Sequence, residues 1–153
     1  MQYAHYINTY LQEVAQIART IDREAIHKVI EELHNLRKRG GRLFIIGVGG
    51  SAANASHAVN DFRKMCKIET YTPVDNVAEL TAWTNDVGFD VIFAHWLEGS
   101  RLGKNDALMV FSVGGGSDKT SKNIVHALEY AKKIGSTIIG IVSRDGGATK
   151  KLA

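Results

Sequence analysis

The sequence lacks the features that mark secreted and membrane proteins. Its single cysteine, Cys66, excludes an internal disulfide and favours a reducing compartment. No stretch approaches the roughly 18 consecutive apolar residues that a membrane-spanning helix needs. Met1 to Tyr10 contain no apolar core of the kind found in signal peptides. We therefore expect a cytoplasmic protein that does not interact with a membrane.

The sequence also lacks a strong excess of either positive or negative charge. The formal net charge is +3, from 19 Lys and Arg residues against 16 Asp and Glu residues. The densest basic run, Arg37 to Arg39, ends a predicted helix, where positive charges suit the helix dipole. This distribution argues against a nucleic-acid-binding surface.

Proline is nearly absent, so long helices can form without interruption. From Met1 to about Ile21, apolar residues recur at steps of three and four and predict an amphipathic helix. A second helix is predicted from the N-cap Asp22 to the stop signal Gly40-Gly41. We expect residues 1–40 to form a helical pair that contacts another subunit; packing on their own domain is the alternative.

Three continuous apolar runs predict buried strands: Leu43–Ile46, Ala107–Phe111 and Thr137–Val142. They alternate with helical patterns, which indicates an open parallel α/β sheet over residues 41–153, within a single structural domain. The other expected elements are a strand over 68–72 that Pro73 ends, helices over 52–65, 76–83, 89–97 and 148–153, a loop over 84–88, and a helix from Asp118 or Lys119 to Ile134.

Two strand ends carry loops rich in glycine and serine, at residues 47–51 and 112–117. If the two strands are neighbours, the loops face one another at the carboxyl edge of the sheet, where such folds bind ligands. Neither loop matches the Walker pattern or the full dinucleotide pattern, so no nucleotide cofactor is expected. Backbone N–H groups and hydroxyls there suit a single phosphate group. The candidate phosphate-binding residues are Gly49, Gly50, Ser51, Ser112, Gly114, Gly115 and Ser117. Alternatively, the serines only cap helices, with Ser51 as the N-cap of the helix that follows it.

His57 and Asp61 stand four residues apart on one face of a predicted helix. This spacing suits convergence on one metal ion or substrate, or a carboxylate base. The alternative is a histidine that is only hydrogen-bonded to a carboxylate. Asn85 and Asp86 precede Gly88 and are consistent with a simple Asx turn.

Several motifs in order resemble the sugar isomerase (SIS) domain family, and most of all its phosphoheptose isomerase branch. The resemblance extends over essentially the whole chain. The matching segments are 47–57 (Gly-Val-Gly-Gly-Ser-Ala-Ala-Asn-Ala-Ser-His), 80–82, 85–89, Phe111-Ser112 with Gly115 and Ser117, and 143–147.

The resemblance implies a three-layer, flavodoxin-like parallel sheet and a homotetramer with active sites at subunit interfaces. It implies aldose–ketose isomerisation of a phosphorylated sugar, such as sedoheptulose 7-phosphate to D-glycero-D-manno-heptose 7-phosphate, and in some members a zinc ion. Ser51, Ser112 and Ser117 match phosphate-binding serines of the family. His57 matches a metal-ligand histidine, and Asp61 stands where the family has its catalytic glutamate and a metal ligand. Asn85 and Asp86 match a pair near the substrate.

The chain also departs from the family pattern. Val48, Val113 and Gly114 replace polar residues of the two loops, and Asp61 is one methylene shorter than glutamate. The sequence stops at Ala153, before the last strand and helix that the resemblance implies, so we expect a truncated record. The competing interpretation is a non-catalytic module that binds a phosphosugar or acts as a tetrameric protein scaffold, like the branch that binds the bacterial replication initiator.

Overall fold

Four parallel strands form the centre of the structure, a computed structural model that describes residues 3–153. The strands are β1 (Leu43–Gly47), β2 (Thr70–Tyr71), β3 (Ala107–Ser112) and β4 (Thr137–Val142), in the order β2-β1-β3-β4. All three pairings are parallel. In register, Gly47 lies opposite Phe111, so the loops after β1 and β3 start side by side. The predicted open parallel α/β sheet is confirmed, with the reversal of strand order between β1 and β3.

The described chain divides into two compact units, one through Leu33 and one from His34. The first contains α1 (Ala4–Thr20) and the start of α2 (Arg23–Lys38), which confirms both predicted N-terminal helices. The Asp22 carboxylate accepts the N–H of Ala25 at 3.0 Å, as expected of an N-cap. None of the α1 residues is buried. Its large exposed apolar residues are Tyr6, Ile7, Tyr10, Leu11, Val14 and Ile17.

The second unit contains the sheet and five more helices. These are α3 (Gly50–Asp61), α4 (Val77–Val87), α5 (Ile92–Gly99), α6 (Lys122–Ile134) and α7 (Gly147–Leu152). A π-helical turn, Phe62–Cys66, extends α3, and a 3₁₀ turn, Pro73–Asp75, precedes α4. One face of the sheet packs on α5 and α6 through Phe44, Ile46, Leu108 and Val110. Among residues 3–153, none of the helices combines the length and apolarity that crossing a membrane requires.

Three local predictions are wrong. Ser51 is not an N-cap, because α3 already begins at Gly50 and follows Gly49, whose φ of 61° makes the turn. Residues 84–87 are not a loop: they complete α4, which Gly88 ends at a φ of 91°. Helix α6 starts at Lys122 rather than at Asp118 or Lys119, because the chain first forms a separate turn at Ser117.

A partly buried ion pair fixes the start of β1. Arg42 Nη2 donates to the Asp106 carboxylate at 2.8 Å and to the Arg101 carbonyl, and Arg42 Nη1 donates to the Ser100 carbonyl. The Asp106 carboxylate also accepts the backbone N–H groups of Arg42 and Gly103. Burial by itself raises the pKa of Asp106. The hydrogen bonds from Arg42 and Gly103 and the charge of Arg42 outweigh burial and hold this pKa below its usual value of 3.8.

We expect Asp106→Asn to lower the free energy of unfolding by about 2 kcal/mol at neutral pH, because Arg42 loses its charged acceptor. The folded-state pKa of Asp106 is depressed. Its stabilisation is therefore present above the unfolded value and is lost as the pH falls through the folded one. Urea unfolding of both proteins from neutral pH to about pH 3 measures this difference, which should shrink with acidity. Asp118→Asn, at an exposed position, serves as the control. Equal stability of the Asp106→Asn variant and the wild type at neutral pH would contradict the expectation.

Candidate functional site

The two serine-bearing loops meet at the carboxyl edge of the sheet. Ser51 and Ser112 both line a cavity of about 330 Å³. They also both line an adjoining one of about 410 Å³, to which Asn54 and Ser143 contribute. The prediction that the loops face one another is confirmed, and its cause is the direct pairing of β1 with β3.

The first loop is shaped by close packing between β1 and α3. A Cβ on Gly47 would stand 2.6 Å from the carbonyl group of Ser51, so no larger residue fits there. The N–H of Ser51 closes a turn onto Val48, and the N–H groups of Ala52 and Ala53 bond to the Gly49 carbonyl. The start of α3 therefore uses several of its own donors. Of the first loop, Ser51 lines both cavities and Val48 lines the 330 Å³ one.

The second loop is a tight turn closed by its own serine. The Ser112 hydroxyl accepts the N–H of Gly115 at 3.0 Å. Gly115 and Gly116 follow with φ of 71° and 82°, a conformation that glycine adopts without strain. Ser112 therefore holds the loop in shape and also faces the cavity with Val113 and Gly114.

A third loop, residues 143–147, follows β4 and leads into α7. The first residues of α7 hold the second loop in position. The N–H groups of Ala148 and Thr149 donate to the carbonyl oxygens of Gly116 and Gly115, each at 2.9 Å. The Thr149 hydroxyl donates to Gly115 as well, at 2.7 Å. A Cβ on Gly115 would collide with the carbonyl of Gly146, so the contact depends on glycine. The signal for this contact in the sequence is the pair of glycines at 146–147.

Ser117 lies apart from the other two serines. Its hydroxyl accepts the N–H groups of Lys119 and Thr120 at 3.2 and 3.1 Å, closing a separate turn. It lines neither of the two cavities that Ser51 and Ser112 share. A phosphate contact of Ser117 therefore stays a prediction, without support from this geometry.

Arg144 is the residue that sequence reasoning missed. It lines the 330 Å³ cavity together with both serines, Thr120 and Ser121. Its φ of 53° is unusual for a residue with a side chain. A guanidinium beside two hydroxyls is a strong combination for a phosphate or carboxylate. The available signal was its place directly after an apolar strand, at the same edge of the sheet as the serines.

His57 and Asp61 do converge, as their spacing predicted. His57 Nε2 and Asp61 Oδ2 are 3.3 Å apart, with side-chain exposures of 77% and 48%. Neither residue lines the two serine cavities. At 1.5 Å of rise per residue, His57 stands about 9 Å and Asp61 about 15 Å along α3 from Ser51. The pair is thus on the same helix as the first loop but outside its cavity.

A zinc ion in a protein takes four tetrahedral ligands, of which at least three come from side chains. His57 and Asp61 supply two. In the part of the chain that the structure describes, no three His, Cys, Asp or Glu side chains are grouped to hold a metal. The donors among residues 3–153 alone therefore do not fit zinc.

Asn85 and Asp86 lie in the last turn of α4, where both are exposed. The Asn85 amide donates to the Asp86 carboxylate at 2.9 Å. Because they are helical, the Asx-turn interpretation is wrong. They do not line the serine cavities, so their proximity to substrate stays a prediction.

The chain is similar to known proteins over nearly its full length. A phosphoheptose isomerase from Chlorobium phaeobacteroides is 37% identical over 122 residues, which cover 74% of this chain and 51% of that protein. A probable phosphoheptose isomerase from Thermoplasma volcanium is 32% identical over 152 residues, covering 96% of this chain and 75% of that one. The chain thus spans from about half to three quarters of the length of these relatives.

The fold has a match among solved structures. Phosphoheptose isomerase from Neisseria gonorrhoeae superposes with a TM-score of 0.86 at 24% identity, over 99% of this chain and 80% of that one. The SIS domain model matches residues 2–143. This match covers nearly the whole chain, including all four strands and the loops after β1 and β3. The chain therefore belongs to the SIS domain family.

Proposed function

We propose that this chain is a sugar-phosphate aldose–ketose isomerase that acts on sedoheptulose 7-phosphate or a closely related phosphosugar. The observation that carries the proposal is the shared cavity of Ser51, Ser112 and Arg144 at the carboxyl edge of an SIS sheet. The relatives at 37% and 32% identity carry the name phosphoheptose isomerase, which supports this substrate class.

In this proposal the cavity holds the phosphate group of the sugar. The hydroxyls of Ser51 and Ser112 donate to phosphate oxygens, and Arg144 supplies the compensating charge. Val48 and Val113 give the same cavity an apolar side. Fixing the phosphate places the carbonyl end of the sugar at a constant distance from it, which is the main contribution of such a site to rate.

The proposed chemistry is a proton transfer between C1 and C2. A carboxylate base removes the proton from the hydroxyl-bearing carbon next to the carbonyl, and the carbonyl oxygen takes up a proton to give an enediol. The base then returns its proton to the former carbonyl carbon, while the hydroxyl on the first carbon loses its proton and becomes the new carbonyl. Asp61 is the proposed base. His57, 3.3 Å from its carboxylate, holds the carboxylate in position.

We infer that a second copy of the chain completes the site. Asp61 lies about 15 Å along α3 from Ser51 and outside the cavity. The phosphate cavity of one copy can therefore work with the His57–Asp61 pair of another. The exposed apolar side of α1 offers a surface for such an assembly, which we propose to be a tetramer in the cytoplasm. A zinc ion at His57 and Asp61 is part of the same proposal only if further donors come from outside the described residues.

A second candidate function is a phosphosugar-binding module without catalysis. Within one chain the His57–Asp61 pair lies outside the cavity of Ser51 and Ser112, which favours a binding module. So does the shorter reach of Asp61 compared with glutamate. Binding without turnover distinguishes this function from the isomerase.

We expect Arg144→Gln to weaken phosphosugar binding by about tenfold or more, because a charge-assisted contact is lost while the backbone stays in place. Ser51→Ala should weaken binding to a smaller extent. Titration calorimetry with sedoheptulose 7-phosphate measures both effects. Arg101→Gln is the matched control, since Arg101 is exposed and has a similar φ of 55°. Unchanged affinity in Arg144→Gln would remove this cavity from the proposal.

We expect Asp61→Asn to lower turnover at least 100-fold while leaving phosphosugar affinity within about twofold, because only the base is lost. A coupled assay for the aldose product, read beside calorimetry, separates the two quantities. Glu24→Gln, an exposed carboxylate on α2, is the control. Binding by the wild-type chain with no turnover at all would favour the non-catalytic module instead.

A further inference from the structure

The cavity of about 410 Å³ beside the proposed phosphate site differs from that site in charge. Arg144 lines the 330 Å³ cavity, whereas none of the described residues that line the 410 Å³ cavity has a charged side chain. The two cavities share four lining residues, Ser51, Phe111, Ser112 and Val113. They are therefore adjoining parts of one cleft, and only one part provides a positive charge for an anion.

A phosphosugar is divided in the same way. Its phosphate is an anion, and the rest is an uncharged chain with a hydroxyl on most of its carbons. When the phosphate lies beside Arg144, the adjoining cavity is the enclosed space next to it. That cavity combines the polar side chains of Asn54 and Ser143 with the apolar ones of Ile141 and Val142. A few polar groups on an apolar surface are usual in small-molecule sites.

Asn54 has the polar side chain in this cavity that is free to bind a ligand. The Ser143 hydroxyl donates to the Val113 carbonyl at 3.1 Å, and the Ser112 hydroxyl accepts the N–H of Gly115. The Asn54 amide is exposed on α3 and makes no hydrogen bond within residues 3–153. It has two donors and an acceptor oxygen. It can therefore pair with a ligand hydroxyl without losing a contact within the protein.

The spacing on α3 places this amide next to the proposed phosphate site. Asn54 follows Ser51 by three residues, so the two side chains lie on the same face of the helix. They are about 4.5 Å apart along its axis. In a phosphosugar, the carbon next to the one that carries the phosphate bears a hydroxyl. A phosphate bound at Ser51 therefore brings this first hydroxyl to the level of Asn54.

We propose that the 410 Å³ cavity holds the part of the sugar chain next to the phosphate, and that Asn54 is a specificity-determining residue that binds its first hydroxyl. This inference rests on the phosphate site of the proposed function. A phosphate ester without that hydroxyl covers the Asn54 amide without pairing with it, and so it binds less tightly. The cleft thus selects phosphates of polyols over other phosphate esters of the same size.

The test is an NMR titration of the intact chain with two small phosphate esters. Glycerol 3-phosphate has the first hydroxyl, and 3-hydroxypropyl phosphate lacks only that group. The wild type should bind glycerol 3-phosphate about tenfold more tightly. Asn54→Leu keeps the approximate size of the side chain, and Asn54→Ala adds no apolar bulk. Both variants should lose this preference while binding 3-hydroxypropyl phosphate within about twofold of the wild type. Asn35→Ala, at an exposed asparagine on α2, is the matched control.

Arg144→Gln separates a failure of this inference from a failure of the phosphate site, because it should weaken binding of both esters equally. If Arg144→Gln does so while the Asn54 variants keep the wild-type preference, the phosphate site stands and the role of Asn54 is overturned. Equal losses for both esters in the Asn54 variants would also overturn it, since they would reflect a general disturbance of α3. Unchanged binding of both esters by Arg144→Gln would overturn the phosphate site and this inference with it.

Discussion

The carboxyl edge of this sheet depends on a contact between two backbones. The carbonyl oxygens of Gly115 and Gly116 accept hydrogen bonds from backbone N–H groups in the first turn of α7. The two segments can approach this closely because Gly115 has no Cβ to collide with Gly146. The second loop is therefore held by the chain after β4 and not by the helix that follows it in sequence. Ser112 keeps its place at the cavity because the loop behind it cannot move independently of α7.

This arrangement limits which backbone groups could contact the phosphate that we propose for the cavity. A glycine-rich loop before a helix usually suggests that the helix N-terminus binds phosphate. Here the N–H groups of Ala52 and Ala53 are bonded to Gly49, and α6 begins only at Lys122, ten residues after Ser112. Those two N–H groups are therefore not available to a phosphate. The hydroxyls of Ser51 and Ser112 and the Arg144 guanidinium are candidate side-chain donors at the same cavity.

Local patterns were sufficient to predict the strands and the sheet class from sequence. The runs at Leu43 and Ala107 are apolar on both faces, which only a buried parallel strand explains in this setting. The N-cap at Ser51 was predicted wrongly because Gly49 and Ser51 are equally plausible as caps, and the positive φ that decides between them has no sequence signature of its own. The last turn of α4 was missed for a related reason. Asn85 and Asp86 favour turns by their intrinsic propensity, but the helix continues through them because Trp83 packs against the core.

Contacts between distant residues were out of reach of sequence reasoning. Arg42 meets Asp106 across 64 positions, and Thr149 meets Gly115 across 34. No spacing rule relates such residues, since only the sheet order brings them together. The same is true of Arg144, which enters the candidate site because β4 pairs with β3.

The separation of Asp61 from Ser51 follows from a simpler fact, the rise of a straight helix. If Asp61 is the base, as we propose, the isomerase has to bridge that distance, and a neighbouring copy is the most direct means. Under that proposal, assembly decides whether this chain catalyses or only binds, because a single chain holds Asp61 outside the cavity of Ser51 and Ser112.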